Sequence, residues 1–214
     1  MPGITLLGLG PGDPNKLTRE AWDVLAAASQ VWLRTAQHPI VASLPPTLSI
    51  HSFDDLYENK ESFEEVYSGI VEKVLELGQS SPGVVYAVPG DPFVAEATCP
   101  EIAQRARSLG LPLKIISGLS FLEPAFAALD IDPFPHLVLM DAIELSQAHV
   151  PAFPPDLPVL VAQLYSRLVA AEVKMTLNTV YPDEHPVKLV HAAGTKDELL
   201  EEIQLFEIDR SAHI

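Results

Sequence analysis

The chain has 214 residues, 48% hydrophobic and 20% charged, enough to bury a sizeable core and too apolar for intrinsic disorder. Thirteen Lys and Arg against 29 Asp and Glu leave a formal charge of −16, which opposes any broad nucleic-acid surface. No apolar run reaches the length of a membrane helix, the N-terminus lacks a basic leader, and a single cysteine, Cys99, excludes an internal disulfide or a CxxC pair, so a soluble cytoplasmic protein is expected.

Ile4 to Pro14 reads ITLLGLGPGDP, an apolar strand that runs straight into a turn of glycine, proline and aspartate. Thr18 to Ala28 follows as a helix, with Thr18 as N-cap and Glu20 in the first turn, and Gln30 to Arg34 as a strand. The best-defined helix is Ser62 to Leu77: Ser62 and Glu65 make a capping box, Gly78 supplies a stop, and Phe63, Val66, Tyr67, Ile70, Val71, Val74 and Leu77 form one apolar stripe. Val84 to Phe93, VVYAVPGDPF, repeats the grammar of the first strand and turn. A helix is expected over Pro100 to Leu109, with proline at N1 and Gly110 beyond its end, then a strand at Leu113 to Ile116. Near-continuous apolar strands of this kind suit a parallel sheet covered on both faces.

The texture changes near Gly118, where a domain boundary is placed, giving 1–117 and 118–214. Beyond it come an apolar helix around Phe121 to Leu129, a strand at Leu137 to Met140, two proline-rich stretches, and a strand at Val159 to Leu164. A helix runs from Arg167 to about Tyr181, and a strand from Val187 to Ala192 leads into Gly194. Thr195 and Glu198 form another capping box, which predicts a short helix.

The two turns invite a ligand, since open α/β sheets bind at the carboxyl ends of their strands and glycine lets a ligand approach the backbone. A Rossmann cradle does not fit: Gly8 and Gly10 match its first two glycines, but Asp13 takes the third position, and Pro11 and Pro14 keep a helix from starting. No GK[ST] follows a glycine loop, and the seven histidines form no HxxxH pair. The plain alternative for GLGPGDP is a tight strand-to-helix connection. For Asp91 the choice lies between a carboxylate that accepts from a ligand and an Asx turn that opens the next helix. Cys99 reads as a small buried hydrophobe.

GLGPGDPNKLT, PGDPFVAEAT and SGLSFLEPAFAAL, in that order, resemble the tetrapyrrole (corrin and porphyrin) methylase family across nearly the whole chain. RTAQHP, SFDDLYE, FEEVY and HAAGTKDELLEEIQLFEIDR are similar to the amino-terminal module of YabN-type proteins, in which a MazG pyrophosphohydrolase domain follows. The resemblance implies two α/β domains, each a mostly parallel or mixed sheet flanked by helices, with S-adenosylmethionine in the cleft between them. It assigns cofactor contacts to Pro11, Pro89, Gly90, Asp91, Val94, Ser120 and Phe121, and a far wall to Leu164, Tyr165, Ala193 and Gly194. It implies a homodimer and a small-molecule methyl acceptor such as a tetrapyrrole, and it names no catalytic base. Relatives also modify a translation factor or ribosomal RNA, and the acidic charge makes a nucleic-acid partner the least expected, just as composition and histidine spacing point to no membrane span and no resident metal. Relatives continue beyond the position matching Ile214, so a strand that completes the second sheet and a MazG domain are expected further on. Asp54, Asp55 and Tyr57 read either as substrate-facing or as a capped loop before the Ser62 helix, and Arg34, Arg167 and Lys174 are the cations available to substrate carboxylates. A methyltransferase and a non-catalytic cofactor-sensing module of a MazG enzyme are the two functions to separate.

Overall fold

Apolar runs such as ITLLG and VVYAV have no polar face to turn to water, so they become the middle of a sheet covered on both sides. In the computed structural model, which describes residues 1–60 and 62–214, β1 (Ile4–Gly8) and β4 (Val84–Val88) are the adjacent inner strands of a five-stranded parallel sheet. With β2 (Gln30–Leu33), β3 (Ser49–Ser52) and β5 (Leu113–Ile116) the order is β3-β2-β4-β1-β5.

Alternate side chains of one strand feed two separate cores. Ile4 and Leu6 of β1, with Val84, Tyr86 and Val88 of β4, pack against α3 (Phe63–Gln79) and α4 (Thr98–Ser108). Leu7 and Leu9, with Val31, Leu33 and Ala87, pack against α1 (Arg19–Ala27) and the segment holding Ile40, Leu44 and Leu48. The connections obey the handedness rule for parallel strands. From β1 the chain crosses one face to β2, and from β4 it crosses the other face to β5. β1 and β4 therefore flank a topological switch point, the place where such sheets open a crevice at their carboxyl ends.

Thr18 caps α1, its hydroxyl accepting from the Ala21 amide at 3.2 Å, and Ser62 caps α3 through the Glu65 amide at 3.3 Å. Gly78 does not stop α3, which runs to Gln79. The glycine is buried against Ile4, where a Cβ would stand 2.3 Å from Cγ1, so its role is close helix-to-strand approach. α4 starts at Thr98, placing Pro100 third in the helix instead of first; a proline is tolerated anywhere in that first turn. SFDDLYE, read as loop or substrate face, contributes α2 (Asp54–Asn59).

The chain divides into two compact units, Met1–Pro124 with Gly194–Lys196, and Ala125–Ala193 with Asp197–Ile214. α5 (Leu122–Leu129) carries the chain from one to the other. The second unit contains a parallel pair, β6 (Val138–Asp141) and β7 (Val159–Ala162), and an antiparallel pair, β8 (Pro186–His191) and β9 (Leu199–Gln204). Its core joins α6 (Ala142–Gln147), α7 (Arg167–Leu177) and a 3-10 turn at Leu205–Arg210 through Leu145, Ala170, Val173 and Leu205. α7 ends at Leu177, short of Tyr181. The helix expected after Thr195 is corrected: the chain instead forms β9, whose six residues all pair with β8. A local capping signal is worth about 1 kcal/mol and loses to six cross-strand pairs.

Candidate functional site

At the switch point the first two turns are tied together through main-chain atoms. The Gly10 amide donates to the Gly90 carbonyl at 3.1 Å, the Gly90 amide returns to the Gly10 carbonyl at 2.8 Å, and the Leu9 amide donates to Val88 at 2.9 Å. Gly10 and Gly90 take φ values of +74° and +68°, which only glycine adopts freely. The segment after β5 packs onto the same spot. A Cβ on Gly8 would lie 2.5 Å from both the Gly118 nitrogen and the Gly90 oxygen, and one on Gly118 would lie 2.2 Å from that oxygen.

Asp91 joins the second turn to the third segment. Its Oδ1 accepts from the Phe93 amide at 2.8 Å, making an Asx turn, and its Oδ2 accepts from the Gly118 amide at 3.1 Å. Ser120, 1% exposed, is locked by its own helix start: its amide and hydroxyl both donate to Glu123 Oε2, at 2.9 and 2.7 Å, and its Oγ accepts from the Leu122 amide. A Cβ on Gly90 would meet Ser120 Cα at 3.8 Å and the Leu119 oxygen at 4.0 Å, ordinary contact distances, so this glycine, unlike Gly8 and Gly118, is required by its positive φ and not by close packing. Pro11, Pro89, Val94 and Phe121 lie partly buried in these same segments.

Leu164, Tyr165 and Ala193 belong to the second unit, and Gly194 is grouped with the first. Leu164 packs on the second unit's core, while Tyr165 is 65% exposed. Positive φ at non-glycine residues recurs beside the expected site segments, at Ala95 in the second turn, Gln163 after β7 and Ala192 after β8. Such backbone costs on the order of 1 kcal/mol or more per residue and concentrates where ligands are clamped.

One cluster went unrecognised in the sequence. Glu96, buried at 8%, turns one oxygen to the start of α4, accepting from the Thr98 amide at 2.7 Å, the Thr98 hydroxyl and the Cys99 amide at 3.3 Å. Its other oxygen pairs with Arg34 Nη1. Arg34 Nε donates to the Tyr57 hydroxyl at 3.0 Å and Nη2 to the Tyr67 hydroxyl at 3.3 Å, so all three guanidinium nitrogens are engaged. Because the Thr98 proton goes to Glu96, the Tyr86 hydroxyl must be the donor in its 2.9 Å bond to Thr98. Burial opposes the Arg34 charge, but Glu96 and Tyr57 outweigh it and hold the guanidinium protonated. Burial also raises the Tyr57 phenol against the pull of Arg34, so it keeps its proton. The apolar stretch around Glu96 offered only a hint, a lone acid in VAEATC after a strand.

The remaining candidates sort themselves by contact. Asp54 accepts from the Ala36 amide at 2.9 Å, bracing the loop after β2; its carboxyl is desolvated, yet hydrogen bonds from Thr35, Ala36 and Ser52 prevail and hold it below the usual range. Asp55 is exposed. Lys174 pairs with Asp209 at 2.6 Å, and Arg167 is exposed. Burial, with Glu96 nearby, pushes the Cys99 thiol up, as suits a core residue. Among the described residues no group of three or more His, Cys, Asp or Glu is placed to hold a metal, and no helix is long and apolar enough to cross a membrane. A groove of about 460 Å³ lies at the opposite, amino end of the sheet, lined by residues such as Ile4, Gln30, Val84 and Lys114. The switch point is the better site, since glycines, strained backbone and converging turns all sit at the carboxyl end.

Residues 3–209 match the family model of the Tetrapyrrole (Corrin/Porphyrin) Methylases. The chain belongs to this family. It is 37% identical to the uncharacterized protein YabN of Bacillus subtilis over 209 residues, 97% of the chain and 42% of that protein. It is 28% identical to diphthine methyl ester synthase of Dictyostelium discoideum over 123 residues, 56% of the chain and again 42% of that protein. The chain thus spans less than half the length of these relatives. In fold it resembles uroporphyrin-III C-methyltransferase from Thermus thermophilus, solved with S-adenosylhomocysteine, at TM-score 0.64 and 20% identity, covering 97% of this chain and 90% of that one. Diphthine synthase gives TM-score 0.64 at 16% identity, covering 99% and 85%. The mixed two-unit α/β fold expected of a tetrapyrrole methylase is the fold found.

Proposed function

We propose that the chain is an S-adenosylmethionine-dependent methyltransferase whose cofactor sits at the carboxyl ends of β1 and β4. The observation that carries this reading is the convergence of three segments there: Gly10 bonded to Gly90, Asp91 bonded to Gly118, and Ser120 packed next to Gly90. These residues fit such a group. Backbone and apolar surface, more than charge, suits a bulky adenosyl sulfonium. Pro11, Pro89, Val94 and Phe121 would supply apolar walls.

When bound, S-adenosylmethionine supplies a methyl group activated by its sulfonium. The protein's share of the chemistry is alignment of the acceptor for in-line attack and exclusion of water. Asp91 and Glu123 serve this by fixing the turns, because their carboxylates are already committed to the Phe93, Gly118 and Ser120 amides. Titration of the protein with S-adenosylhomocysteine by calorimetry tests the reading. One site per chain is expected; absence of binding overturns it.

A second reading rests on the long relative: the chain matches 42% of YabN, leaving room for another domain there. In that reading the chain senses the cofactor on behalf of an attached MazG-type pyrophosphohydrolase. Reciprocity then requires the cofactor to change nucleotide hydrolysis by the full-length protein, and equal rates with and without saturating cofactor dismiss it.

A further inference from the structure

The Arg34 cluster lies at the same carboxyl end of the sheet as the two glycine turns, with Arg34 directly after β2 and Glu96 five residues beyond Asp91. Its charge is already spent. Glu96 neutralises Arg34, and among the described residues the segment 54–67 adds five carboxylates, Asp54, Asp55, Glu58, Glu64 and Glu65, against one lysine. At about 1 kcal/mol for a pair of unit charges 4 Å apart even in water, that surround repels an anion.

What the cluster does offer is a pair of hydroxyl donors. The Tyr57 and Tyr67 oxygens accept from the two sides of one guanidinium. A phenol has a single proton, and an oxygen that accepts from Arg34 keeps that proton for another acceptor. Among the described residues, the hydrogen bonds made by these two oxygens are both of this accepting kind. A cationic donor polarises each phenol and makes its own O–H a stronger donor. Both tyrosines are half-buried, and between them stands Phe63, 66% exposed, its ring centroid 6.5 Å from Tyr57 and 6.1 Å from Tyr67. An exposed aromatic ring beside two poised donors is a surface for a flat body carrying oxygen acceptors.

Resting on the methyltransferase reading, we infer that Tyr57, Tyr67 and Phe63 form the acceptor subsite, and that it selects a flat, uncharged ring compound bearing a carbonyl oxygen over a polycarboxylate. Tyr57 and Tyr67 hold the carbonyl, Phe63 stacks on the ring, and Arg34 acts through the tyrosines as a positioning residue. This sets aside the role foreseen for Arg34 as a direct partner of substrate carboxylates.

The test uses two probes of equal size, N-methyl-2-quinolone, which is neutral with a carbonyl, and 2-naphthoate, which is an anion. Each is titrated into the chain, with and without saturating S-adenosylhomocysteine, and followed by NMR. The quinolone is expected to bind at least tenfold more tightly than the naphthoate, and the double variant Y57F/Y67F to weaken it about thirtyfold, the sum of two neutral hydrogen bonds. The variant keeps both rings, so its S-adenosylhomocysteine affinity is expected to match the wild type. Equal binding of the two probes, no quinolone binding, or unchanged quinolone affinity in Y57F/Y67F overturns the inference. Failure of the wild type to bind S-adenosylhomocysteine sinks the methyltransferase reading instead, and is read in a separate titration.

Discussion

In the first unit four of five residues of β1 and four of five of β4 are buried, whereas every residue of β7 in the second unit is only half-buried. The most buried side chains of the second unit sit on helices, such as Leu145 on α6 and Ala170 on α7. A strand sandwiched between two helical layers is fixed by apolar contacts above and below. A strand in a two-stranded pair has no such constraint, and its unit relies on the helices that cover it. The first unit can thus hold polar groups in its interior, like Glu96, because the surrounding sheet fixes them in place.

Four substitutions would sharpen or break this contrast. Glu96→Gln is expected to cost the most, about 3–5 kcal/mol, since it leaves the Arg34 charge without its buried partner. Chemical denaturation measures it, and Arg34→Met in the same chain should recover part of the loss. A cost below 1 kcal/mol for the single change would mean the first unit does not depend on the pair. Gly8→Ala comes next, at about 3 kcal/mol, because its Cβ would meet main-chain atoms that cannot rotate away. It should also abolish S-adenosylhomocysteine binding, which calorimetry would report; retained affinity would show that the packed turns are not the site.

Leu145→Ala probes the second unit. Loss of this 1% exposed side chain is expected to cost about 2–4 kcal/mol, against less than about 1 kcal/mol for Leu139→Thr on the exposed face of β6. Equal costs would refute the helix-centred core. Asp209→Asn should be the mildest, about 1 kcal/mol, because Lys174, though mostly buried, keeps the Phe206 carbonyl as an acceptor at 3.4 Å. The hydrogen bond from Lys174 holds the Asp209 carboxyl below its ordinary value. Its folded pKa is thus lower than its unfolded one, and its contribution is complete above about pH 4 and lost as the pH falls further through the folded value. Acid titration of stability should show a shallower fall for the variant below that pH, and an unchanged slope would remove the pair from the account.

Much of the first unit was legible because its signals were redundant. β4 is an uninterrupted apolar run, β1 and β5 are apolar but for Thr5 and Lys114, α3 has both a cap and a stripe, and Gly110 ends α4 in the left-handed region at φ +66°. The errors came where a single residue carried the reading. Gly78 looked like a helix stop, but the missing side chain serves contact with Ile4, and a local sequence cannot tell the two apart. The Thr195 to Glu198 signal was real chemistry overruled by pairing with β8. The turns at Gly10 and Gly90 were visible as motifs. Their mutual hydrogen bonds, and the closure of Gly118 onto both, depend on strand order, which no single segment encodes. The Arg34 and Glu96 pair is separated by 62 positions and surrounded by unremarkable residues, so only folding reveals it.

The knot of Gly8, Gly10, Gly90 and Gly118 is written almost wholly in main-chain atoms. Of the side chains at the intervening positions only Asp91 joins it, through the Gly118 amide, so the exposed ones are free to drift as lineages diverge, while the four glycines are not. A saturation library across residues 8–13 and 89–94 should therefore return a comb: sharp intolerance at the glycines, Asp91 and the buried Leu9, broad permissiveness at exposed neighbours such as Phe93. New acceptor chemistries can arise along this comb's gaps without reopening the fold beneath it.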